Sequence, residues 1–157
     1  MPRTDSSLSD QLPRLDNQLC FALYSASLAT TKLYKPLLQP WGLTYPQYLV
    51  MLALWENDDC MVSELGERLF LDSGTLTPLL KRMESAGWLQ RQRDSADERR
   101  VRIVLTAAGR ELREKLAGIP ECMLQQSPCT LSELQALRLQ LQQWRDHLVT
   151  LIPPASH

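Results

Sequence analysis

The stretch that decides the fold is residues 62–106, which read VSELGERLFLDSGTLTPLLKRMESAGWLQRQRDSADERRVRIVLT. Apolar residues at helical spacing predict a short helix over Val62–Leu69, followed by a tight turn. A second helix begins no earlier than Ser73, because Pro78 fits a helix only within its first turn unless it distorts it. This helix stops at Gly87, a residue suited to the left-handed conformation that follows many helix ends.

Two strand-like segments complete the stretch, Leu89–Arg93 and Arg100–Leu105. In the second segment, apolar side chains recur at every second position, which is the pattern of a strand with one buried face. Residues 94–99 between the segments are polar and predict the tip of a hairpin. A short helix, a turn, a helix and a basic hairpin in this order predict a winged helix-turn-helix.

Upstream of this stretch, two further helices are predicted. A helical pattern runs from Asp16 to about Leu38, and Pro36 ends or bends it. The next helix opens at Thr44, which has Gln47 three residues later, the reciprocal arrangement of a capping box. This second helix is nearly all apolar, so we expect it to be central in the fold.

Downstream, Thr106 caps a helix that runs to about Ile119, and a break over Pro120–Pro128 follows it. Thr130 and Glu133 then cap a last, long helix. Its apolar seam is longer than one small domain can cover, so a second chain is the natural partner. The residues of this seam are Leu131, Leu134, Leu137, Leu141, Trp144, Leu148 and Leu151.

The composition is that of a globular chain, and the order of the predicted elements makes it one mainly α-helical domain with a small β-hairpin wing. The chain has 157 residues, of which 44% are apolar and 22% charged, as in globular proteins. We expect a single domain, 1–157, in which helical dimerisation segments (16–45 and 107–152) flank a DNA-binding region (46–106). No apolar run approaches the ~20 residues of a membrane span and no signal core is visible, which predicts a cytoplasmic protein without a membrane partner. Its four cysteines are then expected to start as thiols.

Positive charge concentrates in the second helix and the hairpin. Residues 81–102 hold seven basic and four acidic side chains, whereas the whole chain has a net charge of −1. Short hydroxyl side chains near a helix N-terminus suit base edges and phosphates, and an arginine at the wing tip suits a minor groove. Plain helix capping and a solvated hairpin would use the same residue types. The candidate DNA-binding residues are Asp72, Ser73, Thr75, Thr77, Pro78, Lys81, Arg82 and Arg99.

Several strings resemble a known family. DSADERRVRIVLTAAG resembles the wing and the following helix start of the MarR family of winged-helix repressors. DNQLCFALYSASLATTKLYKPLL, LTYPQYLVMLALWE and LDSGTLTPLLKRMESAG resemble its organic hydroperoxide-sensing subfamily, OhrR. The resemblance covers nearly the whole chain. It implies a homodimeric repressor that binds double-stranded operator DNA with an inverted repeat and releases it when an organic hydroperoxide oxidises one cysteine. We expect no cofactor.

The resemblance also implies roles for single residues. The sensing cysteine corresponds to Cys20, and its two tyrosine partners correspond to Tyr34 and Tyr45. In the two-cysteine branch of the family, a resolving thiol comes from the partner chain, from the region that holds Cys122 and Cys129 here. We favour Cys129 slightly, because it lies in the more exposed predicted turn.

The spacing of Cys20 and Tyr34 constrains how they meet. Tyr34 comes fourteen positions after Cys20, near four helical turns, so the two lie on about one face and ~21 Å apart in a continuous helix. Contact therefore requires an antiparallel copy of the helix in a dimer, where tyrosine hydroxyls would stabilise the Cys20 thiolate. Ordinary interface packing would explain the same tyrosines. Cys60, in a predicted loop after two aspartates, is expected to be an incidental thiol.

The implied chemistry is a redox switch. A thiolate attacks a hydroperoxide and becomes a sulfenic acid, and a second thiol condenses with it to a disulfide between subunits. The disulfide would move the two winged helices, so the spacing of their recognition helices would no longer match the operator.

Three other functions stay open on the sequence alone. One is a MarR-type regulator released by a small phenolic or lipophilic ligand, in which Cys20 only packs. A thiol peroxidase is disfavoured because residues 62–105 are devoted to DNA binding. A metal sensor is disfavoured because the cysteines lack C-x₂-C spacing, with His147 and His157 near the C-terminal end. We therefore expect no metal site.

Overall fold

The computed structural model describes residues 10–154, so the ends of the predicted 1–157 domain, together with His157, lie outside the described part. Two 3₁₀ turns, Leu15–Asn17 and Gln39–Trp41, bracket the first helix. The regular elements are α1 (Leu19–Leu38), α2 (Tyr45–Glu56), β1 (Cys60–Met61), α3 (Val62–Leu69), α4 (Ser73–Ser85), β2 (Leu89–Arg93), β3 (Val101–Leu105), α5 (Ala107–Lys115), α6 (Ile119–Gln125) and α7 (Leu131–Leu151).

The predicted winged helix-turn-helix is confirmed, with α3 and α4 as its two helices and β2 and β3 as its wing. The turn between the helices is tight: Phe70 ends α3 in the left-handed conformation at φ 57°. A Cβ on Gly66 would lie 2.8 Å from the Leu71 carbonyl oxygen, so only glycine lets the turn after α3 pack this closely against that helix. At the far end of α4, Gly87 adopts φ 86°, as the predicted helix stop requires.

The sheet has three antiparallel strands in the order β1-β3-β2 rather than the two of the predicted hairpin. Leu89 pairs with Leu105 in the hairpin, and Cys60 pairs with Ile103 on the other side of β3. The predicted loop at Cys60 is therefore wrong. A two-residue strand has no detectable periodicity, and its partner lies 43 residues away in the sequence.

The core gathers around α2, as the apolar run in its sequence predicts. Gln47 is buried at the start of α2, where its side-chain oxygen accepts a hydrogen bond from the Thr44 N–H at 3.0 Å, the predicted cap. Large fully buried side chains come from α2, both helices of the helix-turn-helix and the sheet: Val50, Met51, Leu54, Leu65, Leu76, Leu80, Met83, Leu89 and Ile103.

Two helix boundaries differ from prediction. α1 begins at Leu19 rather than Asp16, because a 3₁₀ turn precedes it, and it continues through Pro36 to Leu38. α5 ends at Lys115 rather than near Ile119, close to Gly118, a weak helix former.

The predicted break after α5 contains a helix of its own, α6, which covers most of the Pro120–Pro128 segment. Pro120 lies in its first turn, where a missing N–H costs no hydrogen bond. α7 begins as predicted: the Thr130 hydroxyl accepts from the Glu133 N–H at 3.2 Å, and the Thr130 N–H donates to the Glu133 carboxylate at 2.7 Å.

The described residues divide into two compact units, one ending at Lys115 and one beginning at Leu116. The functional division into a DNA-binding region, 46–106, and dimerisation segments, 16–45 and 107–152, stays a prediction. Across residues 10–154, no helix combines the length and apolar character needed to cross a bilayer.

Candidate DNA interface and redox site

The N-terminus of α4 is capped from within the chain. The Asp72 carboxylate accepts a hydrogen bond from the Thr75 N–H at 2.8 Å, and the Asp72 carbonyl accepts from the Leu76 N–H at 2.9 Å. Asp72 was a candidate for contacting DNA directly. In the structure its carboxylate caps α4 and fixes the residue at which this helix begins. A role of Asp72 in DNA binding stays a prediction.

One face of α4 lies open to solvent while the other packs inward. Ser73, Thr75, Lys81 and Arg82 are exposed, Pro78 is exposed beside the half-buried Thr77, and the opposite face carries the buried leucines and Met83. The helix begins at Ser73, so Pro78 is its sixth residue and lies beyond the first turn. Because Pro78 has no N–H, the Gly74 carbonyl lacks its normal helical donor. The open face thus combines hydroxyls and two cations.

The wing tip holds Arg99 outward. The Asp97 carboxylate accepts from the Arg99 N–H at 3.1 Å and from its guanidinium Nε at 3.3 Å, so these two residues form an ion pair. The Arg99 side chain is nonetheless 92% exposed. The turn itself is closed by backbone bonds from Arg100 to Asp97 and from Asp94 to Arg100. Asp97 therefore orients the Arg99 side chain, while the rest of its guanidinium group stays exposed to solvent.

Ion pairs within the chain neutralise some of the basic side chains of α4 and the wing and leave others unpaired. Arg91 donates to Glu84 at 3.0 Å, and a hydrogen bond from the Arg91 backbone N–H, with that side chain, lowers the pKa of Glu84. Arg102 is paired with Asp59. Within residues 10–154, four other basic side chains of the region form no ion pair and are exposed: Lys81, Arg82, Arg93 and Arg100.

Cys20 is the second residue of α1 and is exposed, with exposed apolar neighbours in Leu19, Phe21 and Tyr24. α1 is helical from Cys20 to Tyr34 without interruption, which is the condition that the spacing argument needed. At 1.5 Å per residue the two side chains are ~21 Å apart along the helix, so Tyr34 does not reach Cys20 of its own chain.

The two tyrosines implied by the resemblance lie together. The Tyr34 and Tyr45 ring centroids are 4.6 Å apart, and burial raises the pKa of both phenols, that of Tyr34 also through its neighbour Tyr45. Both hydroxyls are thus protonated near neutral pH and able to donate. Tyr48, which sequence reasoning did not single out, joins them with its ring centroid 5.9 Å from that of Tyr34. Its place three residues after Tyr45 puts both tyrosines on the same face of α2, and that spacing could have revealed it.

The other three cysteines differ in environment. Burial, then nearby Glu64, Asp58 and Asp59, raise the pKa of the Cys60 thiol, so this buried sulfur is a poor nucleophile. Cys122 is half-buried in α6, and its sulfur accepts from the Gln126 side chain at 3.3 Å.

Cys129 is exposed just before α7, with its N–H bonded to Ser127 Oγ at 3.1 Å. Through residues 10–154, no group of three or more His, Cys, Asp or Glu side chains is placed to hold a metal ion.

A helix-turn-helix whose second helix and basic wing share an exposed surface defines a winged-helix DNA-binding protein. The SarA/Rot family model of transcriptional regulators matches residues 32–116. The protein belongs to this family of MarR-like winged-helix transcriptional regulators.

Individual relatives narrow the comparison. The organic hydroperoxide resistance transcriptional regulator of Bacillus subtilis is 50% identical over 125 residues, 80% of this chain and 85% of that protein. The regulator TtmR of Methylorubrum extorquens is 50% identical over 139 residues, 88% of this chain and 71% of that protein. Reduced AbfR bound to DNA has a TM-score of 0.78 at 37% identity, over 90% of this chain and 99% of that one. AbfR has also been solved with a disulfide formed. These relatives are transcriptional regulators rather than enzymes.

Proposed function

We propose that this chain is a homodimeric repressor that releases operator DNA when an organic hydroperoxide oxidises Cys20. The observation that carries the proposal is the layout of α1, with an exposed cysteine near one end and the Tyr34–Tyr45 pair at the other. The identity with the Bacillus organic hydroperoxide resistance regulator supports the choice of oxidant. A repressor that binds operator DNA in this way would act in the cytoplasm.

A dimer would bring the two ends of α1 together, which a single chain does not do. In an antiparallel pair of α1 helices, each Cys20 faces the tyrosine pair of the partner subunit, and two phenol donors stabilise the thiolate. The exposed apolar side chains beside Cys20 supply the surface that such a pairing would bury, and they would also favour a peroxide with an organic substituent.

The chemistry then runs in two balanced steps. The Cys20 thiolate attacks one peroxide oxygen; a sulfur–oxygen bond forms, the oxygen–oxygen bond breaks, and the alkoxide leaves and takes a proton as the alcohol. A resolving thiol next attacks the sulfenic sulfur; a disulfide forms, the sulfur–oxygen bond breaks, and water leaves. The peroxide is the oxidant throughout.

Cys129 is the better candidate for the resolving thiol. It is exposed in the connection between α6 and α7, whereas Cys122 is half-buried within a helix and accepts a hydrogen bond from Gln126. An exposed thiol outside a helix has less structure to unfold before it reaches a partner. An inter-subunit disulfide would change the spacing of the two α4 helices and thereby release an inverted-repeat operator.

The direct test is Cys20→Ser. The reduced variant should bind an operator duplex, selected in vitro with the wild-type protein, with wild-type affinity, and should keep it on treatment with cumene hydroperoxide, as read by fluorescence anisotropy. Cys60→Ser is the matched control and should release DNA at the wild-type dose, because that thiol is buried. Release of the Cys20→Ser variant at that dose would refute the proposal.

The resolving thiol is tested on a non-reducing gel after peroxide treatment. Cys129→Ser should remain monomeric on the gel and Cys122→Ser should form the crosslinked dimer, because only the first change removes the exposed thiol. The opposite result would exchange the two roles. A crosslinked dimer in the double variant would exclude both cysteines.

A further inference from the structure

Tyr48 lies directly behind the tyrosine pair. It is 2% exposed, and its ring centroid is 5.9 Å from that of Tyr34 and 6.5 Å from that of Trp55. The Trp55 indole N–H donates to the Gly109 carbonyl at 2.9 Å, which ties this end of the row to α5. Four rings therefore form a row from Tyr45 through Tyr34 and the buried Tyr48 to the half-buried Trp55.

The members of this row differ in how firmly they are held. Tyr34 is only half-buried and lies near the C-terminal end of α1. Tyr48 lies on the buried face of α2, and its ring meets the Trp55 ring edge-on, at an interplanar angle of 70°. Adjacent aromatic rings in such tilted and edge-on contacts attract each other beyond their burial. The fixed ring of Tyr48 thus limits where the Tyr34 ring, and its hydroxyl, can lie.

We propose that Tyr48 is the positioning residue of the peroxide-sensing site: its ring holds Tyr34 in the orientation that presents a phenol to the thiolate of Cys20 of the partner subunit. This inference rests on the proposed function. We assign this role to the ring of Tyr48 because it is the ring that contacts those of Tyr34 and Trp55. Burial, with the neighbouring phenols Tyr34 and Tyr45, raises the pKa of Tyr48 to about 12. Its hydroxyl is therefore neutral at physiological pH and supplies no charge to the site.

The experiment measures Cys20 itself. Full-length reduced protein is alkylated with iodoacetamide across a pH series, and modification is quantified on the Cys20 peptide by mass spectrometry. Tyr34→Phe and Tyr48→Leu should both move the midpoint of this pH profile upward and slow oxidation by cumene hydroperoxide at pH 7 about threefold, since less thiolate is present. Tyr48→Phe, which keeps the ring, should retain the wild-type profile.

Val50→Ala is the matched control. Val50 is fully buried in the same helix, so this change loosens the core near Tyr48 without removing a ring; its pH profile should stay that of the wild type. Operator binding by each reduced variant confirms folding, and Tyr48→Met replaces the leucine variant if that one does not fold.

Each other result is decisive. A wild-type profile for Tyr48→Leu beside a shifted one for Tyr34→Phe overturns the positioning role and leaves the proposed function standing. A shift in Tyr48→Phe as large as that in Tyr34→Phe assigns the effect to the hydroxyl, and a shift in Val50→Ala assigns it to general loosening; either overturns the inference. A Tyr34→Phe profile identical to the wild type overturns both this inference and the thiolate-stabilising part of the proposed function.

Discussion

Arg99 and Arg102 occupy the same wing but are held in different ways. Arg102 is paired with the Asp59 carboxylate, which raises the pKa of its guanidinium and neutralises its charge in a partly exposed ion pair. Arg99 meets only the edge of Asp97 at 3.3 Å and stays 92% exposed. An arginine that is held in place but stays exposed is the kind of group that a narrow, negative minor groove attracts.

At this scale we predict that Arg99→Ala weakens operator binding by roughly tenfold, within the ~1–3 kcal/mol of a single specific arginine contact. Anisotropy titrations with the selected duplex measure the change. Arg113→Ala, an exposed arginine of α5, controls for the loss of one positive charge and should bind within about twofold of the wild type. Equal losses in the two variants would mean that Arg99 contributes only to the general field.

Among the elements, the junction of β3 and α5 sets how the wing is attached. The Thr106 hydroxyl donates to the Gly87 carbonyl at 2.6 Å and accepts from the Gly109 N–H at 3.1 Å, so one side chain links the end of α4 to the start of α5. A Cβ on Gly109 would fall 2.0 Å from the Trp88 carbonyl oxygen. Gly109, the glycine of the LTAAG string, is thus needed because α5 packs directly against the backbone of Trp88.

For this junction we predict that Gly109→Ala destabilises the protein by about 2–4 kcal/mol, because the backbone must shift to admit the methyl group. Urea unfolding followed by circular dichroism measures it. Gly118→Ala is the matched control: a Cβ there meets nothing within 4 Å, and its φ is −81°, so we expect at most a small change. Equal stability of the two variants would contradict the close approach at Gly109.

For the whole molecule, the decisive feature is the apolar surface that one chain leaves open. α1 exposes Leu19, Leu28 and Leu33, and α7, within its own unit, exposes several leucines of the predicted seam, with Leu137 49% exposed. Exposed apolar side chains in such numbers on a helix mark a surface that a partner would bury. A second copy of the chain is the cover we propose.

At this scale we predict that Leu137→Asp converts the dimer to monomer at micromolar concentration, since a carboxylate would be buried in an apolar seam. Sedimentation velocity measures the species present. Gln135→Asp places the same charge on the opposite side of α7 and should leave the dimer intact. A dimeric Leu137→Asp variant would move the interface away from this seam.

Much of the fold follows from the sequence alone. The bounds of α3, α4 and β2, the caps at Thr44 and Thr130, and the separation of Cys20 and Tyr34 were all predictable. These features depend on groups a few residues apart, whose hydrogen bonds and periodicity are written along the chain. The family itself was predictable for the same reason, since its strings are contiguous.

Tertiary structure alone decided the rest. Only the folded chain pairs β1 with β3, neutralises Arg102 with Asp59 and places Tyr48 behind Tyr34. Each of these contacts joins residues that are far apart in the sequence, and no local pattern encodes a partner 14 or 43 residues away. Their physical origin is the packing of α2 and the sheet into one core, which determines which arginines remain available to DNA and how the tyrosine pair is held.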